Sequence, residues 1–206
     1  MPSLTIIAGP NGAGKTRISG FFEQFRDNLE NIIDLDLLLQ EATNEIPYSY
    51  YSANEWRQLD KLFKRYCEQA IEKKADFCYE CNLRDDQVKN VGLFEEAGYQ
   101  LNLIYLTLNS IEQSRSRVNY RVKHEKGRYV NDRDLRENFV RGIENLDNHY
   151  ADFDSVIIID NSIDFEYQPK ITFAYDKDGV YMAENFPPQS LKQYFKNIEK
   201  LKNFIK

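Results

Sequence analysis

The chain has 206 residues, of which 27 are Lys or Arg and 33 are Asp or Glu, so its formal net charge is −6. This balance argues against a nucleic-acid-binding surface along the whole chain, and a content of 42% hydrophobic and 14% aromatic residues excludes disordered and low-complexity proteins. No apolar run approaches the roughly 18 residues of a membrane-spanning helix, and the first residues lack the pattern of a secretory signal. Three cysteines favour a reducing compartment, so we expect a globular, cytoplasmic protein.

Strands and helices are predicted to alternate through the first 160 residues. Short apolar runs predict strands at 4–8, 31–35, 77–79, 101–108 and 156–159. Apolar residues at helical spacing predict helices at about 16–25, 37–42, 54–74, 86–97, 111–123 and 132–150. This alternation is typical of a parallel sheet with helices on both faces. Residues 170–175 and 180–183 flank a turn and predict a β-hairpin, either at an antiparallel sheet edge or as a small addition, before a helix from about residue 190.

The first predicted turn carries the most specific motif. Residues 9–16 read GPNGAGKT and match G-x-x-x-x-G-K-[ST] at every fixed position, between a predicted strand and a predicted helix. Glycines let backbone N–H groups turn inward around a phosphate, and the helix adds its positive end. Lys15 is predicted to reach the outer phosphates and Thr16 to offer its hydroxyl to Mg²⁺. The predicted nucleotide-binding residues of this loop are Gly9, Pro10, Asn11, Gly12, Ala13, Gly14, Lys15 and Thr16.

Further along the chain, the pattern favours a small-molecule kinase that uses ATP and Mg²⁺. No N/T-K-x-D base-reading motif of GTPases appears. Residues 115–128 hold six Lys or Arg and one acid, and Arg117 and Arg121 lie four apart on one helix face. Cations on a closing lid would neutralise a transferred phosphoryl group and exclude water. A solvated charged helix is the simpler alternative.

Phosphoryl transfer to a hydroxyl also gains from a carboxylate that takes the proton. Asp36, Glu80 and Asp160 each lie near the end of a predicted strand, and Asp34 is a weaker fourth candidate. The carboxyl ends of parallel strands face the ligand crevice of such folds, so any of these acids could serve. Asp36 could instead simply cap a helix, and Glu80 could either hold Mg²⁺ through water or contact the acceptor.

The chain resembles the zeta toxin family of P-loop kinases over about residues 4–162. The shared segments are AGPNGAGKT at 8–16, Asp36 in IIDLDLL, Glu80 in YECNL, GY at 98–99, RVNYRV at 117–122, ENL at 144–146 and DNS at 160–162. We accordingly expect an α/β, P-loop NTPase three-layer fold with a five-stranded, mostly parallel sheet plus a C-terminal hairpin and helix. The expected division is a kinase core at 1–165, with a basic lid at about 112–135, and a hairpin and helix at 166–206 packed on the core.

The resemblance implies an ATP-dependent kinase that phosphorylates a sugar hydroxyl of UDP-N-acetylglucosamine and is usually opposed by an antitoxin. Carried over by position, Lys15 and Thr16 bind ATP and Mg²⁺, Asp36 is the general base, and Arg117 or Arg121 clamps the γ-phosphate. Asn161 is placed near the adenine. The residues predicted to bind the acceptor are Glu80, Arg128 and Arg141. Neither nucleic acid nor a membrane is an expected partner.

Two departures from the family pattern bear on activity. Residues 125–128, EKGR, replace a Gly-Gly-His turn, and Asn138 stands where the family carries an arginine before an aromatic residue. Arg141, three positions on, is a candidate substitute. Two alternatives therefore stay open: a kinase for a nucleoside, nucleotide or other metabolite, and an ATP-binding module without transferase activity.

Overall fold

The computed structural model describes residues 1–23, 32–34, 38, 53–84, 88, 90–125, 129–163 and 170–204. The strands in these ranges are β1 Ser3–Ala8, β2 Ile32–Asp34, β3 Phe77–Cys81, β4 Gln100–Thr107, β5 Ser155–Asp160, β6 Lys170–Asp176 and β7 Gly179–Met182. The helices are α1 Lys15–Glu23, α2 Ala53–Lys73, α3 Val91–Glu96, α4 Ile111–His124 and α5 Asp132–His149, with 3₁₀ helices at Tyr150–Asp152 and Ile198–Phe204. The predicted α/β class with a mostly parallel sheet is confirmed. The helix predicted at 37–42 lies outside the described residues except for Leu38.

The sheet places the loop after β1 at its centre. The strand order is β2-β3-β1-β4-β5-β6-β7, and the first five strands are parallel. Ala8, the last residue of β1, lies opposite Cys81 of β3 and Tyr105 of β4. β3 and β4 pair with β1 on its two sides, and the sheet grows outward from β1 in both directions. The end of β1 is therefore the topological switch point, where such sheets bind ligands.

The C-terminal hairpin extends the same sheet instead of standing apart. β6 runs antiparallel to β5, with Phe173 opposite Ile158, and β7 pairs with β6. The described sheet thus has seven strands, five of them the predicted parallel core. Turns and the 3₁₀ helix Ile198–Phe204 occupy the place of the helix expected from residue 190. A long-range contact accompanies this difference, because the backbone N–H groups of residues 196–198 donate to the Asp147 carboxylate on α5 instead of to preceding carbonyls.

Two hydrophobic clusters hold these layers. The larger surrounds the central strands and includes Leu4, Ile6 and Ile7, which have no exposed surface. The smaller joins α4 to α5 through Val118, Val130 and Leu135, so the beginning of the basic segment is fixed to its neighbouring helix. Among the described helices, none is both long and apolar enough to span a membrane.

Candidate active site

Two glycines in left-handed conformations shape the loop after β1. Gly12 and Gly14 have φ values of +77° and +88°, in the left-handed region that side chains rarely adopt. A Cβ on Gly14 would lie 2.7 Å from Nδ2 of Asn161, and one on Gly12 would lie 3.1 Å from the Cβ of Arg117. Both positions therefore need glycine for backbone conformation and for space.

Lys15 lies across the mouth of this loop. Its Nζ donates to the carbonyl oxygens of Gly9 at 2.9 Å and Pro10 at 3.4 Å, and to Oδ1 of Asn82 at 3.1 Å. The ammonium thus lies between the first half of the loop and the carboxyl end of β3. Sequence reasoning missed Asn82, although a polar residue two positions after Glu80 at a strand end was a usable signal.

Glu80 is the buried carboxylate beside the loop. It is 4% exposed, and it accepts hydrogen bonds from the hydroxyls of Thr16, at 3.1 Å, and Ser19. Burial raises the pKa of Glu80, and the negative charge of Asp34 raises it further, while the two hydroxyls and Lys15 oppose this shift. The sequence predicted Glu80 but missed Ser19, which follows Thr16 by three positions and so faces the same side of α1.

The donor set at Glu80 fits magnesium. Mg²⁺ prefers oxygen ligands, keeps several waters, and is commonly held by one or two protein oxygens plus substrate phosphates. Thr16 and Glu80 bring a hydroxyl and a carboxylate within 3.1 Å of each other. Within the described ranges, no group of three or more His, Cys, Asp or Glu could hold a metal by itself, so a cation here would depend on the nucleotide's phosphates.

The basic helix α4 contacts the rim of the loop directly. Ser114, which is fully buried, donates to the carbonyl oxygen of Asn11 at 2.6 Å. One turn on, Nη1 of Arg117 donates to the carbonyl oxygen of Asn161 at 2.8 Å and approaches that of Gly12 at 3.5 Å. The first half of α4 is therefore docked on the loop with an arginine at its edge.

Residues 1–170 match the zeta toxin family. The chain belongs to the zeta toxin family. The predicted family resemblance is confirmed, and the protein is accordingly a nucleotide-using P-loop kinase, a phosphotransferase that acts on a hydroxyl group. No curated protein matches it in sequence.

Solved structures share the fold at low sequence identity. A protein of the PezAT chromosomal toxin–antitoxin system of Streptococcus pneumoniae is 19% identical, with a TM-score of 0.60, 99% of this chain covered and 87% of that one. The AvrRxo1-ORF1:ORF2 complex with ATP gives 13% identity and a TM-score of 0.66, covering 96% of this chain and 63% of that one. The Pnkp1/Rnl/Hen1 RNA repair complex gives 13% identity and a TM-score of 0.60, covering 82% and 48%. This chain thus covers less than two thirds of the length of the last two structures.

The remaining predicted site residues of this zeta toxin family chain lie in different surroundings. Arg121 is half-buried on α4, and its Nε has no hydrogen-bond partner among the described residues. Nδ2 of Asn161 donates to the carbonyl oxygen of Ala13 at 2.7 Å, so Asn161 lies against the loop. The side chain of Arg141 is 63% exposed and forms an ion pair with Glu144 on the same helix, at 3.8 Å. This contact is with its own helix and not with Lys15.

Two predicted residues, Asp36 and Arg128, lie outside the described residues. Of the other acids weighed as candidates, Asp160 uses one carboxylate oxygen to accept from the backbone N–H of Ser162 at 2.8 Å, within its own turn. Asp34 contributes its charge near Glu80.

Helix α5 supports the site from a second side. Nδ2 of Asn145 donates to the carbonyl oxygen of Leu83 at 2.8 Å, and Leu83 itself has a φ of +59°. Gly142 lies so close that a Cβ there would be 2.6 Å from the Asn82 carbonyl oxygen. These contacts hold the turn after β3 and so fix Asn82, the partner of Lys15. Sequence reasoning missed them because they join residues far apart in the chain.

Proposed function

We propose that this kinase transfers the γ-phosphoryl group of ATP to a hydroxyl of a small molecule, and that the acceptor is a nucleotide sugar such as UDP-N-acetylglucosamine. The observation that carries the proposal is the convergence at the loop mouth. There the Lys15 ammonium, the Thr16 hydroxyl and the buried Glu80 carboxylate meet at the switch point of the sheet.

The loop 9–16 binds the triphosphate in this proposal. Backbone N–H groups around Gly12 and Gly14 surround the phosphates, and Lys15 exchanges its present carbonyl and amide partners for phosphate oxygens. Asn161, held against Ala13, lines the side that leads to the adenine. The glycine φ values and the match of all fixed motif positions support this assignment.

Thr16 and Glu80 would hold Mg²⁺. A bound Mg²⁺ supplies positive charge that offsets the charge on the phosphates during transfer. Glu80 fits this role better than acceptor binding because both of its carboxylate oxygens already face α1 hydroxyls. Burial raises the pKa of Glu80. A nearby cation would oppose this shift, because it favours the ionised carboxylate.

Transfer also needs a proton acceptor and cations at the moving phosphoryl group. We assign the first role to Asp36 and the second to Arg117 and Arg121, within a basic lid at about 112–135. Helix α4 contacts the loop at Asn11 and Gly12. This supports the assignment, because α4 carries both arginines. Arg128 and Arg141 remain proposed acceptor contacts.

Membership of the zeta toxin family supports a nucleotide sugar as acceptor and an antitoxin as protein partner. The structural relative from Streptococcus pneumoniae belongs to a toxin–antitoxin system. The division into a kinase core at 1–165 and a C-terminal segment at 166–206 is part of the proposal, and within that segment the described hairpin continues the sheet of the core through the pairing of β6 with β5.

A transfer assay tests the proposal. Purified protein is given γ-labelled ATP, Mg²⁺ and UDP-N-acetylglucosamine, with a panel of nucleosides, nucleotides and sugars alongside. Label should enter the nucleotide sugar with wild type, fall at least about 10²-fold for Asp36→Asn, and vanish for Lys15→Ala. Full activity of Asp36→Asn would remove the base assignment. Label that enters only another metabolite would show that this metabolite, and not the nucleotide sugar, is the acceptor. ATP binding without any transfer would show that the protein is a binding module without kinase activity.

A further inference from the structure

A buried tyrosine hydroxyl near the phosphate loop has no partner. Tyr105 on β4 has no exposed surface, and its hydroxyl makes no hydrogen bond to any of the described residues. A buried polar group in this state costs free energy, and native proteins rarely keep one without a reason. Burial raises the pKa of Tyr105, and the nearby Cys81 raises it further, so the hydroxyl keeps its proton and offers a donor.

The structure places this hydroxyl beside the turn after β3. A Cβ on Gly142 of α5 would lie 2.7 Å from the hydroxyl oxygen of Tyr105 and 2.6 Å from the carbonyl oxygen of Asn82. The two oxygens therefore lie around the same point of α5, no farther apart than the sum of those distances. A small shift of Asn82 would bring its carbonyl oxygen within hydrogen-bond distance of the donor.

Lys15 holds the side chain of Asn82. Nζ of Lys15 donates to Oδ1 of Asn82 at 3.1 Å, and Asn82 is 4% exposed. The next residue, Leu83, has a φ of +59° and no exposed surface, a conformation that a bulky side chain adopts only under strain. In the function proposed above, Lys15 exchanges Asn82 for phosphate oxygens, and that exchange frees Asn82 to move.

The peptide group between Asn82 and Leu83 is the part of the turn that can rotate. Nδ2 of Asn145 holds the carbonyl oxygen of Leu83 at 2.8 Å, so the chain beyond this peptide group stays in place. The N–H of Leu83 donates to the sulfur of Cys81 at 3.3 Å, and a thiol sulfur is a weak acceptor. Rotation of this peptide group therefore costs little, changes the strained φ of Leu83 and moves the carbonyl oxygen of Asn82.

We propose that Tyr105 is a positioning residue for the nucleotide-bound kinase: once Lys15 has moved to the phosphates, the Tyr105 hydroxyl donates to the carbonyl oxygen of Asn82. The new bond holds Asn82 in its shifted position and so keeps Lys15 on the phosphates. The inference rests on the proposed function and deepens it, because it names a residue that favours the bound state without contacting the nucleotide. Since the bond forms in only one of the two states, it adds to the affinity for ATP.

The test compares nucleotide affinity with stability. Tyr105→Phe keeps the ring and its packing but lacks the hydroxyl. Calorimetry with Mg²⁺ and the β,γ-imido analogue of ATP should give a Kd about three- to tenfold above that of wild type, as expected for the loss of one hydrogen bond. Thermal unfolding without nucleotide should give a Tm equal to or above that of wild type, because the variant removes an unpaired buried group. A role in packing alone would not raise Kd at an undiminished Tm.

Tyr99→Phe is the matched control, with the opposite expectation. Tyr99 is 5% exposed, and its hydroxyl lies 2.8 Å and 2.9 Å from the carbonyl oxygens of Ala70 and Ala75. It precedes the first residue of β4, at the end of the sheet opposite the phosphate loop. Removing this bonded hydroxyl should lower Tm and leave Kd for the ATP analogue within about twofold.

Two results would overturn the inference alone. One is an unchanged Kd for Tyr105→Phe. The other is a fall in Tm like that of Tyr99→Phe, which would mean that the Tyr105 hydroxyl is already bonded without nucleotide. Wild-type protein that does not bind the ATP analogue would overturn the proposed function as well.

Discussion

The carboxylate of Asp147 on α5 holds the C-terminal segment, and removing its charge tests how firmly. Asp147 is 3% exposed. Its Oδ2 accepts from the backbone N–H groups of Lys196 and Asn197, both at 2.9 Å, and its Oδ1 accepts from Asn197 at 3.0 Å and Ile198 at 2.9 Å. The segment so held contributes Phe195 and Ile198 to the core, each with no exposed surface.

Asp147→Asn replaces one acceptor oxygen by an NH₂ group. We expect the NH₂ group to turn toward the partly buried N–H of Lys196 and away from the buried N–H of Ile198. The Lys196 N–H then faces a donor, and the remaining bonds lose the help of the negative charge. A hydrogen bond to a charged group contributes about 1.5–3 kcal/mol, and a stranded donor costs about 1–3 kcal/mol. Because the site is only partly closed to water at Lys196, we expect a loss of about 2–3 kcal/mol. For a chain of this size each kcal/mol lowers Tm by about 2–4 °C, which predicts a fall of about 4–12 °C.

The assay is thermal unfolding followed by circular dichroism, without nucleotide. Asp176→Asn is the matched control, because that exposed carboxylate also accepts two backbone N–H groups, from Asp178 at 2.8 Å and Gly179 at 3.1 Å. Water can replace those bonds, so its Tm should change by under about 3 °C. Equal and small changes in the two variants would refute the idea that Asp147 anchors the segment.

Three further substitutions probe the site. In Glu80→Gln, the carboxyl group whose pKa burial raises no longer titrates. Wild type loses stability as the pH rises through that raised pKa, so the Tm of the variant minus the Tm of wild type should increase as the pH rises above the ordinary pKa of about 4.5, and a constant difference would contradict this. Gly14→Ala adds a Cβ 2.7 Å from Asn161 Nδ2 at a φ of +88° and should weaken ATP binding at least about tenfold, whereas Gly92→Ala, which has open space around it, should not. Arg121→Ala should lower kcat by about 10²-fold while ADP affinity holds, and an equal loss in Lys123→Ala, an exposed neighbour on the same helix, would point to general surface charge.

The phosphate loop was predictable because its structure is local. The motif depends on glycines between a strand and a helix, and adjacent residues determine all three features. Residues 4–16 carry this pattern in the sequence. The carboxylate Glu80 was predictable for a related reason, since the end of a parallel strand marks the ligand edge of the sheet. Its partner Ser19 follows from helical spacing after Thr16, but only once Glu80 is known to face that helix.

The contacts from α5 could not be predicted in the same way. Asn138 meets Asn11 across 127 positions, and nothing near either residue in the sequence indicates the pair. The joining of the hairpin to β5 is similar, because an antiparallel edge and a separate addition have the same turn and the same alternation. The C-terminal segment is a third example, because its backbone N–H groups bind the carboxylate of Asp147, which lies 49 positions before Lys196. Turns stand there in place of the expected terminal helix.

The most direct test of the central claim is Mg²⁺-dependent transfer of γ-phosphoryl from ATP to UDP-N-acetylglucosamine, followed by mass spectrometry of the sugar product. The account predicts one added phosphate with wild-type protein, none without Mg²⁺, and none with Lys15→Ala at unchanged Tm. Phosphorylated product from Lys15→Ala at the wild-type rate, or equal rates with and without Mg²⁺, would contradict it.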